Sequence, residues 1–118
     1  MSDPMAESVA VRDPVSDPVI RTFVGEIARV RTQIRRLVLF GSRARGDDRS
    51  DSDYDILVVV LRKTPELRSV LYDGVMRALL DHGRLVSLKI FSETEFDRLR
   101  ELGTPFMERV QREGIHLG

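Results

Sequence analysis

Asp53 and Asp55 are the residues in this chain best placed to do chemistry. They open the apolar run Ile56 to Val60, and the period-2 alternation of a strand puts both carboxylates on one face, with Leu57 and Val59 behind them. Two carboxylates on one face repel and call for a cation between them. A hard cation with oxygen ligands, Mg²⁺ above all, suits such a pair and keeps further positions for water and phosphate oxygens. Such an ion neutralises the charge of a phosphoryl group as it transfers. The run Ile56 to Val60 is apolar on both faces, which predicts a central strand holding the carboxylates rigidly at the edge of a cleft.

A second element precedes them, Leu39-Phe40-Gly41-Ser42-Arg43-Ala44-Arg45-Gly46. Gly41 permits positive φ and close approach of the backbone to a ligand. Ser42 is a short hydroxyl donor and a helix N-cap residue type. A helical turn over Arg43-Ala44-Arg45 would point free N–H groups at an anion, and Gly46 can end that turn in the left-handed conformation.

Gly41-Ser42-Arg43-Ala44-Arg45-Gly46 followed by Ser52-Asp53-Tyr54-Asp55 resembles the signature of the DNA-polymerase-β-like nucleotidyltransferase superfamily. Within it the chain looks like the minimal nucleotidyltransferase (MNT) group, small prokaryotic proteins often paired with a HEPN-domain partner in toxin–antitoxin modules. The motif spans Gly41 to Asp55, and weaker similarity runs from about Val38 to Glu113-Gly114-Ile115. The resemblance implies transfer of a nucleoside monophosphate, AMP foremost, from an NTP to a hydroxyl with release of pyrophosphate. It casts Asp53 and Asp55 as catalytic metal ligands for Mg²⁺, and Gly41 and Ser42 as the cradle of the β- and γ-phosphates. Arg45 would touch phosphate or brace the loop through a carboxylate.

The superfamily pattern places a third acid on a later strand, and here the chain departs from it. Aligned by Glu95-Phe96, the matching position is Ser87, and no acid lies between Arg84 and Ser92. Serine replaces a carboxylate neither as a bridging metal ligand nor as a proton acceptor. Lys89, two residues on, is read as an exposed strand lysine with a phosphate contact as the functional alternative.

The elements that must position these residues follow from periodicity. Residues 1–16 hold Asp3-Pro4 and Asp13-Pro14 and little apolar material, and are expected to form a disordered tail, leaving 17–118 as one nucleotidyltransferase domain. Asp17-Pro18 reads as an N-cap with proline at the first helical position. Ile20, Phe23, Val24, Ile27, Val30 and Ile34 then predict an amphipathic helix to about Thr32–Ile34, with Arg35 and Arg36 at its end. A strand follows over Leu37 to Phe40 and another over Tyr54 to Leu61. A helix from Pro65 to His82-Gly83 would bury Leu67, Val70, Leu71, Val75, Ala78 and Leu79, with Tyr72 and Met76 also packing. Arg84 to Phe91 reads as a third strand, with Val86, Leu88 and Ile90 on one face and Ser87 and Lys89 on the other. Ser92 to Glu95 is a capping box opening a helix with Phe96 and Leu99 inward, and Phe106, Met107 and Val110 begin a last helix ending near Gly114. The expected architecture is α/β (α+β), a small mixed sheet of three or four strands flanked by helices. The resemblance supplies its topology, the polymerase-β-like nucleotidyltransferase core.

Composition narrows the function classes. The 19 basic and 19 acidic residues cancel, so nothing drives the whole chain toward nucleic acid. The aspartates beside Arg43, Arg45 and Arg49 weaken a direct nucleic-acid reading further. The absence of cysteine excludes disulfides, cysteine metal sites and a catalytic thiol. No apolar run approaches membrane-spanning length and no leader-like segment opens the sequence, which makes the cytoplasm the expected location.

Two functions compete. In the first, NTP–Mg²⁺ binding is kept while transfer to a partner, such as a HEPN toxin, is slow or lost unless the partner supplies a carboxylate. In the second, the chain is a catalytically impaired antitoxin that neutralises a HEPN partner by contact; apolar residues around Phe106, Met107 and Ile115 are candidates for the contact surface, with core packing as the first reading for them. A core this small leaves its cleft open, to be completed by a partner or by a second copy in a homodimer.

Overall fold

A computed structural model describes residues 16–41 and 53–117. The expected tail up to residue 15, and the stretch containing Ser42, Arg45, Gly46 and the aspartates Asp47, Asp48 and Asp51, lie outside the described residues.

The element order is helix α1 (Pro18–Glu26), a 3-10 helix (Ala28–Gln33), β1 (Ile34–Phe40), β2 (Tyr54–Val60), α2 (Pro65–His82), β3 (Val86–Ser92), α3 (Glu93–Leu102), α4 (Pro105–Glu113) and β4 (Ile115–His116). The four strands form one mixed sheet in the order β3-β2-β1-β4. β2 runs antiparallel to β1 and parallel to β3, with α2 as the crossover.

Alternation along the strands splits the core in two. Leu37, Leu39, Tyr54, Ile56, Val58, Val60 and Val86 face α1 and α2, where Phe23, Ile27, Leu71 and Ala78 are fully buried. Val38, Phe40, Leu57 and Val59 face the other way, onto Phe96 of α3 and Met107 and Val110 of α4. β2 is therefore covered on both sides, as its continuous apolar run requires. Full burial of side chains of this size stabilises by roughly 1.5–3 kcal/mol each.

Local signals account for most helix ends. The Asp17 carboxylate accepts from the amides of Val19 and Ile20, and Thr64 and Thr104 cap α2 and α4 in the same way, each with proline next in line. Ser92 and Glu95 form the reciprocal capping box at α3. The bond from the Ser92 amide, then Lys63, holds the Glu95 carboxyl below its ordinary range. Gly74, inside α2, sits where α1 crosses: a Cβ there would lie 2.9 Å from the Phe23 ring. The glycine that weakens the helical pattern thus serves helix packing.

Several expectations are corrected. The first α-helix stops at Glu26 and continues as 3-10 helix, so Ile34 belongs to β1 and the strand begins three residues before Leu37. Helical and 3-10 windings both keep Ile27 and Val30 inward, so the apolar stripe could not distinguish them. Arg35 and Arg36 consequently lie in β1 instead of at a helix C-terminus, where Arg35 pairs with Glu93 and Arg36 covers the Phe96 ring. Tyr72, Met76 and Leu79 on α2 are exposed instead of packed. Met107 is buried and Phe106 half-buried in the core under α3 and α4, the core packing weighed for them against a contact surface, and Ile115 is half-buried in β4. The last residues pair with β1 as a short strand, Val38 with His116 and Leu39 with Ile115. Among the described residues, no helix is long and apolar enough to cross a membrane.

Candidate active site

The antiparallel register sets Phe40 against Asp55, so the end of β1 and the start of β2 meet at one point on the sheet. Tyr54 separates the two aspartates and points to the opposite face. Its buried phenol donates to Asp17 Oδ2 at 2.8 Å, while Asp17 Oδ1 caps α1. One carboxylate thereby ties the helix start to the strand that carries the candidate site. With Tyr54 held on the α1–α2 side, Asp55 emerges on the α3–α4 side. Asp55 is half-buried and Asp53, just before the strand, is exposed.

Gly41 adjoins this pair. Its φ is +78°, in the left-handed region, and a Cβ built there would stand 2.5 Å from Asp55 Oδ2. Both its backbone conformation and the missing side chain leave space at the carboxylate that no other residue would leave. Gly41 and Asp55 therefore stand side by side at the site. Ser42 and Arg45, expected beside them, lie outside the described residues.

The other flank of Asp55 is β3. In the parallel register Asp55 faces Ser87 and Leu57 faces Lys89, so Ser87 and Lys89 share the face of Asp55. Burial, then the neighbouring Asp53 charge, push the Asp55 carboxyl above its ordinary range, against the attraction of Lys89 and Arg109. Arg109 stands on α4, which packs over this face through Met107 and Val110. Sequence reasoning missed Arg109. It lies 54 residues beyond Asp55 on an amphipathic helix, and nothing local distinguishes it from its neighbours Glu108 and Arg112.

The donor set suits a hard cation. Asp53 and Asp55 offer carboxylate oxygens at the mouth of a rigid strand, and Gly41 keeps Asp55 Oδ2 approachable. Among the described residues no three His, Cys, Asp or Glu side chains gather into a metal-binding group. The histidines stand apart from the aspartates: His82 is hydrogen-bonded to Thr22 at 2.8 Å, joining α1 to α2, and His116 lies in β4.

The mixed sheet thus carries a paired carboxylate at the opening of its central strand, with a left-handed glycine against it. The chain belongs to the polymerase beta nucleotidyltransferase family, whose model matches residues 24–117. It is 31% identical over 103 residues to MJ0604 of Methanocaldococcus jannaschii, a candidate protein adenylyltransferase, covering 83% of this chain and 93% of that one. A second candidate protein adenylyltransferase of the same organism, MJ0141, is 28% identical over 102 residues, covering 84% and 95%. In fold, the chain is similar to a solved toxin–antitoxin structure with AMP-PNP, with a TM-score of 0.53 at 17% identity over 83% of this chain and 71% of that one.

Proposed function

We propose that this protein binds an NTP with Mg²⁺ at Asp53 and Asp55 and transfers a nucleoside monophosphate, AMP by preference, to a hydroxyl of a protein partner. The observation that carries the reading is the place of Gly41 beside Asp55 at the opening of β2, where any side chain would crowd the carboxylate. Similarity to two candidate protein adenylyltransferases supports AMP as the group transferred and a protein as the acceptor.

Each residue has a physical task in this reading. Asp53 and Asp55 hold the ion, which supplies charge neutralisation at the triphosphate. Gly41 leaves room for the phosphates, Ser42 donates to them, and Arg45 binds or braces the same group. An acceptor hydroxyl oxygen bonds to the α-phosphorus while the bond to the bridging oxygen breaks. The electron pair departs with pyrophosphate and the hydroxyl proton passes to solvent. Ser87 offers no carboxylate to that proton or to a second ion, so transfer by the isolated chain is expected to be slow. A HEPN-domain toxin is the proposed acceptor.

The test is calorimetric titration of ATP and Mg²⁺ into the wild type and Asp53→Asn, followed by labelled transfer to candidate partners. Binding that requires both Mg²⁺ and Asp53 supports the reading, and no binding in either protein overturns it.

A second reading is favoured by a separate observation. Tyr72, Met76, Leu79 and Leu80 expose an apolar stripe along α2, at spacings of one and two helical turns. A protein acting as an antitoxin by contact alone would use such a surface. In that case Asp53→Asn would neutralise the toxin as well as the wild type does.

A further inference from the structure

We infer that Lys89 and Arg109 form a fixed cationic subsite for the phosphate chain of the bound nucleotide, so that one divalent ion suffices at this site. The inference rests on the nucleotide-binding reading above and adds to it the residues on the β3 side and the metal stoichiometry.

Three observations carry it. First, register and alternation place Lys89 on the face of Asp55, one step along from Ser87, while α4 brings Arg109 over the same face. Both charges reach the Asp55 carboxylate. Second, the two cations are exposed and neither forms an ion pair with a described residue. Several other cations are engaged: Lys63 by Glu95, Arg35 by Glu93, Arg77 by Glu26 and Asp81, and Arg100 by Asp97. Third, the charge is divided across the face, with Asp53 and Asp55 at the opening of β2 and the cations toward β3 and α4.

One Mg²⁺ ion would neutralise the two aspartates, and a triphosphate then brings negative charge where, among the described residues, no third carboxylate joins Asp53 and Asp55 to hold another ion. An ammonium and a guanidinium at the β3 side meet that charge directly. The ammonium acts as a point charge and the guanidinium as a two-pronged donor to phosphate oxygens. The positions would keep their role whichever base the nucleotide carries, because both cations address phosphate.

The experiment compares ATP binding at saturating Mg²⁺ by calorimetry for the wild type, Lys89→Met, Lys89→Arg, Arg109→Met and Asp53→Asn in the full chain. Electron paramagnetic resonance counts Mn²⁺ bound per ATP in the wild type and in Ser87→Asp. Loss of one charge-assisted phosphate contact is expected to weaken binding about tenfold in Lys89→Met and in Arg109→Met, with Lys89→Arg nearer the wild type. One Mn²⁺ per bound ATP is expected in the wild type, rising toward two in Ser87→Asp. Affinity within about twofold of wild type in both Met variants, while Asp53→Asn abolishes binding, overturns the inference and leaves the nucleotide reading standing. Two Mn²⁺ per ATP in the wild type also overturns it. No Asp53-dependent binding in the wild type overturns both. The two cations sit exposed on different elements, so a folding defect in one variant leaves the other as the test.

Discussion

Asp55 lies directly across from Ser87 in the parallel pairing of β2 with β3. Neighbouring strands stand about 4.8 Å apart, so a carboxylate at position 87 would adjoin that of Asp55. Ser87→Asp is therefore expected to lower the melting temperature without metal, through like-charge repulsion of roughly 0.2–1 kcal/mol. Mg²⁺ should reverse that loss. With a partner present, the added ligand should raise labelled transfer by an order of magnitude or more, since an ion that activates the nucleophile lowers the barrier by several kcal/mol. A folded, nucleotide-binding Ser87→Asp protein with unchanged transfer would remove the third-acid argument.

Gly41→Ala should damage the site beyond its effect on stability. The left-handed φ of +78° alone costs an alanine about 1–2 kcal/mol, and its Cβ would stand 2.5 Å from Asp55 Oδ2. The Asp55 side chain must turn away to relieve that contact. Urea unfolding should show a loss of that order, while calorimetry should show Mg²⁺–ATP binding weakened more than a stability loss alone explains. Normal binding by a folded Gly41→Ala protein would separate Gly41 from the ligand.

The raised Asp55 carboxyl has a definite consequence for acid stability. A group whose folded value exceeds its unfolded one binds its proton more tightly when folded. Stability from this group is greatest in acid and falls as pH rises from the ordinary carboxylate range through the raised folded value. Burial, the leading cause, disfavours the charge, and asparagine carries none. In the presence of EDTA, Asp55→Asn should be more stable than wild type at neutral pH, and the difference should vanish in acid. Urea midpoints across pH would show it, and a lower neutral midpoint for Asp55→Asn would contradict this assignment.

Met76 and Leu80 lie one turn apart on the exposed side of α2, at 50% and 71% exposure. Replacing both with glutamate should change stability by no more than about 0.5 kcal/mol per site, as at other surface positions. If the stripe receives a protein partner, the double variant should lose capture of a co-expressed HEPN protein while keeping ATP binding. Undiminished capture would move the partner contact elsewhere.

What the sequence by itself determined was local. The Asp17, Ser92 and Pro65 helix starts follow from hydrogen bonds spanning two or three residues, and the β2 run is apolar on both faces wherever it is placed. The shared face of Ser87 and Lys89 follows from alternation alone, and the family follows from motif spacing. Tertiary structure decided what depends on partners distant in the chain. α1 yields to 3-10 helix because the chain must turn into β1, a demand the stripe from Ile20 to Ile34 does not encode. Ile115 and His116 become a strand only because β1 offers an edge to pair with. Ser87 became the neighbour of Asp55 through the β2–β3 register, which no single strand specifies. Arg109 approaches Asp55 because α4 packs its apolar side on Phe40 and Leu57 and carries the arginine with it. Periodicity says which side of an element is apolar; only packing says which distant residues that side brings together.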